Sequence, residues 1–360
     1  MGWTSVAAPG RNLRNRLDNW VVLGKHALYG VAVCRIGTGL AVLGLLSVNF
    51  STRDMWVGQA SLWAEPARAV SRFPELSLLD GVSSDILTLF YLITMAAALA
   101  LTLGWHAKAA NVLTFVGFIA VVGQNPVVEA PGDHLIRLTL LWMLLMRSAE
   151  HWSLDARRRE GRLAAGEQAS REDEVLPDWL STGLHNVGLV ALCAQTIVVS
   201  MAAGLDKVAD RSWQHGTALY STMQLPEFRP FPALSDVISG STVLLALVTY
   251  GVLLSQLFFG PLLLNPVSRR AVIVLAVVVN LLLAVVFGQP WSAASAMAVA
   301  MLFVSDTAWE HLEDVVTRAF QPASDWLAER GYDVLDLVDG VRYRVVLPVY
   351  DWVRLTVVRR

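Results

Sequence analysis

The sequence predicts an all-α, polytopic integral membrane bundle of about eight spans with both termini in the cytoplasm. Three observations predict it. Apolar residues make up 55% of the chain and charged residues only 16%, and the mean hydropathy is positive, a balance outside the soluble range. The apolar residues are gathered into runs near the length of a membrane crossing. Basic residues cluster in alternate connections between those runs, as orientation by positive charge requires.

The first run, 29–48, follows an amphipathic segment (Trp3, Leu13, Leu17, Trp20, Val21) and lacks a small-residue cleavage site, so it reads as a retained helix. Further runs cover 86–104, 109–123, 134–148, 185–204, 241–263, 271–288 and 291–306. Arg11, Arg14, Arg16 and Lys25 precede the first run. Lys108, the arginines from Arg147 to Arg171, and Arg269 with Arg270 fall on the same side. The segment 124–133 has Glu129 and Asp133 but no basic residue, and 49–85 is nearly balanced and rich in Trp, so these face outside.

Three regions follow. Residues 1–28 form a cytoplasmic amphipathic segment, 29–306 the membrane domain, and 307–360 a cytoplasmic, amphipathic, basic tail suited to an anionic lipid surface. A polar linker at 149–184, a solvated helix or extended chain, divides the membrane domain in two. No internal repeat suggests inverted symmetry. Cys34 and Cys193 lie in apolar runs without CxxC spacing or nearby histidines, which gives no disulfide framework and no metal site.

Ionisable residues within spans are costly and mark either structure or function. Arg35 sits about two turns into the first span, where a structural ion pair is the expectation and a charge facing a cavity the alternative. Asp133, His134 and Arg137 open the fourth span, with Asp133 and Arg137 one turn apart. Asp133 there reads as a helix cap paired with Arg137, or as part of a polar site with His134. At the outer end of the fifth span, AAGLDKVADRSWQHGTALY places Asp206, Lys207, Trp213 and His215 at the interface. The stretch that follows, punctuated by Pro226, Pro230 and Pro232, is too irregular to cross as a helix. Lys207 is a candidate base, because a partly desolvated amine gives up its proton more readily; an ordinary snorkelling lysine is the alternative.

Four blocks then carry a resemblance: CRIGTGLAVL at 34–43, GDHLIRLTLLW leading to HWSLDARRR at 132–159, AQTIVVSMAAGLDKVADRSWQHGTALY at 194–220, and SQLFFGPLLL at 255–264. Over most of 25–306 the chain resembles the HTTM (horizontally transferred transmembrane) family, bacterial relatives of vitamin K-dependent gamma-carboxylase. The resemblance implies a multi-pass protein of a bacterial plasma membrane and, as cofactor, a reduced menaquinone-type quinol. In the carboxylase a lysine after an AG-containing helix deprotonates the quinol, whose reaction with oxygen gives a strong base and leaves an epoxide. Lys207 matches that lysine, and His134 matches, more loosely, a histidine of the fourth-span block. Where the family pattern has a later histidine, this sequence has Asn280, which cannot exchange a proton near neutral pH. The large β-rich substrate region of the carboxylase has no counterpart in the short basic tail, which argues against propeptide-directed carboxylation.

Three readings result. The first is a quinol-dependent carboxylase- or epoxidase-like enzyme with Lys207 as base, supported by His134 and Asp133 and acting on a small or peptide substrate. The second is a non-catalytic membrane subunit or maturation factor with a membrane or cytoplasmic protein partner. The third is a transporter or lipid-binding protein using Arg35 and Arg137. The near-zero net charge gives no field toward nucleic acid. No P-loop, dinucleotide fingerprint, HExxH or GxSxG motif is present.

Overall fold

The computed structural model describes residues 19–57, 59–69, 82–125, 127, 129–166 and 176–318. Much of the amphipathic N-terminal segment, part of the Trp-rich segment 49–85, residues 167–175 of the polar linker and most of the basic tail therefore lie outside the described residues. The described chain is helical throughout, without a strand. The principal helices are α1 (Leu28–Val48), α2 (Ser84–Leu103), α3 (Ala107–Val122), α4 (Pro131–Met143), α5 (Leu154–Ala164), α6 (Asp178–Ala209), α7 (Ala218–Gln224), α8 (Pro232–Ser239), α9 (Thr242–Leu257), α10 (Pro266–Val286) and α11 (Pro290–Ala300). Each apolar run of the sequence is thus helical.

Four of these, α1, α2, α6 and α10, are long and apolar enough to cross a membrane, and the count rises to six if each of two bent pairs is one span. One bent pair is α8 with α9, which meet at 99°. Helix α3 is apolar but has 16 residues. Helix α4 has 13, and its chain continues through three tight turns, Leu144 N–H to Leu141 O, Leu145 N–H to Trp142 O and Met146 N–H to Met143 O. Leu89, Leu99, Val112, Leu113, Val198, Val243, Leu247 and Val274 are all exposed. That much outward apolar surface is unfavourable in water and suits a lipid environment.

The largest core cluster joins α1, α2, α3, α4, part of α6 and the end of α11. Helix α1 lies inside it because Gly30, Gly37 and Gly44 recur every seven residues and leave one flank without side chains. A Cβ at Gly37 would run into the Cβ of Ala298, and one at Gly44 into the ring of Trp291. Small residues of this kind let membrane helices approach closely. A second cluster forms among α7, α8, α9 and α10. Helix α6 touches both groups: Gly188 packs on Trp142 and Met146, and Gly204 on Leu257 of α9.

One end of the bundle is organised by Arg35. Its side chain is fully buried, and it donates from Nε to Ser148 O at 2.9 Å, from Nη1 to Leu101 O at 2.6 Å and Thr102 O at 2.8 Å, and from Nη2 to Trp152 O at 2.7 Å. In place of the expected ion pair, the acceptors are backbone carbonyls at the C-terminal end of α2 and in the turn after α4, where helix geometry leaves carbonyls short of intrahelical donors; Leu101 O also accepts Gly104 N–H at 3.1 Å. Lys108 acts similarly on Leu144 O and Met146 O. Asp155 accepts the N–H groups of His106 and Ala107, which caps the start of α3. His185 accepts Arg147 N–H at Nδ1 and donates from Nε2 to His26 O, which fixes its neutral tautomer. Asn186 holds Trp20 O, Val21 O and Gly24 O through its amide nitrogen.

Two outcomes are expected at this end. Arg35→Met removes a donor from four carbonyls, of which Leu101 O keeps Gly104 N–H, and costs about 4 kcal/mol or more, measured as loss of folded yield and of the thermal midpoint in detergent. Arg35→Lys, with three donors on one nitrogen, recovers only part of it. Asn186→Leu releases the 19–27 segment, seen as faster hydrogen exchange there while α1 and α2 stay protected.

Candidate functional site

The candidate residues gather at the opposite end of the bundle. Along α6, Lys207 lies 22 residues beyond His185, about 33 Å at the helical rise of 1.5 Å per residue. Helix α4 runs the other way, so its first turn, with Asp133 and His134, also stands at this end: Gly132 packs on Ser292 at the start of α11, which follows the C-terminal end of α10.

Two polar groups form there. In the first, the chain enters α4 through Pro131, and the Asp133 carboxylate turns back to accept Ala130 N–H at 2.8 Å. A carboxylate at the third helical position satisfies an otherwise orphaned donor and suits the positive helix end. Asp133 is thereby buried and committed to its own helix. The expected Asp133–Arg137 pair is corrected for this reason: Arg137 pairs with Glu129, on the segment before the helix. The same Glu129 oxygen lies 3.6 Å from His134 Nδ1, and the His134 side chain is 60% exposed. Glu129 is the residue that the sequence pattern did not single out as a partner. Its separation of eight positions from Arg137 is not a helical spacing, and only the turn at Pro131 brings them together.

The second group surrounds Lys207. Its ammonium donates to Ala203 O of its own helix at 3.3 Å and sits 5.3 Å from the ring centroid of Trp213. The side chain is half-buried, and among the described residues it makes no ion pair. Asp206 is exposed beside it. Asp210 ends α6 and accepts Ser212 N–H and Oγ–H, which starts the single helical turn Arg211–Gln214 carrying Trp213. These bonds hold the exposed Asp210 carboxyl below its usual pKa. Gly216 has φ +71, a conformation strained for any side chain, and lies against Tyr250 of α9. Tyr250 donates to Gln214 O at 2.7 Å, so the turn under Trp213 is tied to α9. His215 is exposed.

Three chemical statements follow. The contacts of Lys207, with Ala203 and Trp213, and that of His134, with Glu129, share no residue. Asn280 donates to Ala276 O, one turn back on α10, at 2.8 Å. Among the described residues no three His, Cys, Asp or Glu side chains are grouped to hold a metal ion. What remains is a half-buried amine facing an aromatic ring, able to bind an anionic or hydroxyl-bearing aromatic group and to exchange one proton with it.

Comparison with known proteins returns a single kind of match. No curated protein and no solved structure matches the chain. The family model described as the HTTM domain matches residues 28–309, from the start of α1 past the end of α11. Most of the chain is covered by that match, and the chain belongs to the HTTM family.

Proposed function

We propose that this multi-pass HTTM protein binds the head of a menaquinone-type quinol at the outer end of α6 and uses Lys207 as the proton acceptor. The observation that carries the reading is the Lys207 amine, half-buried beside Trp213 and, among the described residues, with no carboxylate at ion-pair distance; in its unprotonated form Nζ carries the lone pair that takes the proton. A quinol ring presents an aromatic face and an acidic hydroxyl. Trp213 offers a surface for the first and Lys207 an acceptor for the second, so the residues present fit the group. When bound, the quinol supplies the reducing power that, with oxygen, generates a base strong enough for carbon acid chemistry, as the kinship with vitamin K-dependent gamma-carboxylase suggests. The protein's part is to keep water from one side of the amine, hold it against Trp213 and accept the proton at Nζ.

The finer topology belongs to the same reading. All eight apolar helices cross the membrane with alternating direction, both termini face the cytoplasm, and the membrane is the bacterial plasma membrane. Contacts support the alternation: Gly204 meets Leu257 while Gly216, further along the chain, meets Tyr250 and Ala246, so α9 runs against α6. Gly30 near the start of α1 meets Met301 and Leu302 after α11, whereas Gly44 near its end meets Trp291 at the start of α11.

A second reading, a non-catalytic subunit or maturation factor with a protein partner, is favoured by two particular observations. His134 is exposed and held by Glu129, and Asn280 is engaged with its own helix. Neither shares a hydrogen-bond or ion-pair partner with Lys207.

The two readings are separated by oxygen-dependent conversion of menaquinol to its epoxide by the full chain in liposomes. The first predicts turnover that falls by about 100-fold or more in Lys207→Ala, while His134→Ala retains most of it, with thermal midpoints verifying that the variants are folded. Absence of turnover in the folded wild type rejects the enzymatic reading and leaves the second.

A further inference from the structure

Helix α5 carries a feature that the site at the far end does not use. Its start is rigidly placed: Ser153 accepts Ala156 N–H, Asp155 N–H donates to Gly104 O at 3.0 Å, and both Asp155 oxygens are taken by the first N–H groups at α3. Trp152, which precedes it, has φ 47 and is held through its carbonyl by Arg35. Within α5, Ala156 faces the protein, and Arg159 turns inward to Ala149 O and Glu150. Arg157 and Arg158 point outward and are exposed. Asp155, the nearest acid to Arg158, is 3.8 Å away and already bonded elsewhere.

Beside these arginines stand exposed apolar groups. Trp105, in the turn between α2 and α3, is 47% exposed, Trp152 37% and Leu154 36%. Exposed tryptophans at the ends of apolar helices mark the membrane interface, and basic residues next to them lie within reach of lipid phosphates. We infer that Arg157 and Arg158, fixed beside Trp105, Trp152 and Leu154, form a binding surface for anionic phospholipid headgroups. The positive charge supplies the complementarity, and the aromatic edge sets the depth at which the phosphate is met. The surface is independent of Lys207 and of the reading given to it.

The test is titration of the detergent-solubilised full chain with phosphatidylglycerol or phosphatidylcholine, followed by native mass spectrometry. Wild type is expected to retain phosphatidylglycerol in preference to phosphatidylcholine. The double variant Arg157→Gln/Arg158→Gln loses that preference, with apparent affinity for the anionic lipid weakened by about thirtyfold and its thermal midpoint in phosphatidylcholine unchanged. Competition by inorganic phosphate, in about tenfold excess over lipid, leaves the preference intact because the apolar edge contributes to lipid binding. Equal retention of both lipids by wild type, an undiminished preference in the double variant, or full displacement by phosphate overturns the inference.

Discussion

The donation of Arg35 to four backbone carbonyls is the constraint on which the rest of the fold depends. A guanidinium in an apolar bundle is tolerated only where its donors are all engaged, and here three nitrogens reach the end of α2 and the turn after α4 from the middle of the neighbouring helix. These carbonyls lie at a helix end and in a turn, where intrahelical donors are scarce, so each partner offsets the other's desolvation cost. The arrangement also dictates its surroundings. Gly104, with φ +66, must lack a side chain because a Cβ there would lie 2.7 Å from Arg35 Nη1 and against Ser153. With the turn after α4 fixed, Asp155 can reach the start of α3, and Arg147 can present its N–H to His185.

From that end the order is passed along α6. His185 and Asn186 fasten its beginning to the 19–27 segment. Midway, Gln195 accepts the Trp142 indole N–H of α4 at 2.6 Å. Further on, Gly204 admits α9 to contact distance. A single long helix therefore positions Lys207 with respect to a network far from it. At the last turn the character changes: Asp210 ends the helix, short turns replace long helices, and the backbone groups they expose are met by Asp210, Gln214 and Tyr250. Irregular backbone at membrane depth is stable only with such partners, which explains why these polar residues accumulate around the candidate amine.

The helices were legible in the sequence because the apolar runs are long and their boundaries carry Gly, Pro and basic residues, as with Pro131, Pro232, Pro266 and Pro290 at helix starts. That Arg35 needed partners was equally legible. Their identity was not, since carbonyls belong to every residue and sequence favours the search for a carboxylate. Asp133 misled for a related reason: its spacing to Arg137 fits a helical pair, yet the carboxylate is consumed in capping before it can pair. The beginning of α6 at Asp178, well before the apolar run from 185, hid the role of His185 and Asn186. Lys207 stood out through the company it keeps in its block, but whether His134 joined it depended on how α4 and α6 pack, and no local pattern encodes that.

The separation between the two ends bears on how chemistry can change in such a chain. The polar contacts of Arg35, Lys108, Asp155, His185 and Asn186 lie at one end, whereas Lys207, His134 and Trp213 lie at the other; Tyr91, donating to Leu46 O, ties α2 to α1 near that second end. The hydrogen bonds and ion pairs of Lys207 and His134 stay within their own helix or an adjacent segment, whereas Trp213 also packs against the cluster of α7 to α10. Asn280 illustrates the point: an amide in an apolar helix satisfies its donor on Ala276 O without any partner from α6 or α4. Proton-exchanging residues such as Lys207 and His134 can thus be gained or lost at little cost to the bundle, and membership in the family fixes the scaffold more firmly than the reaction.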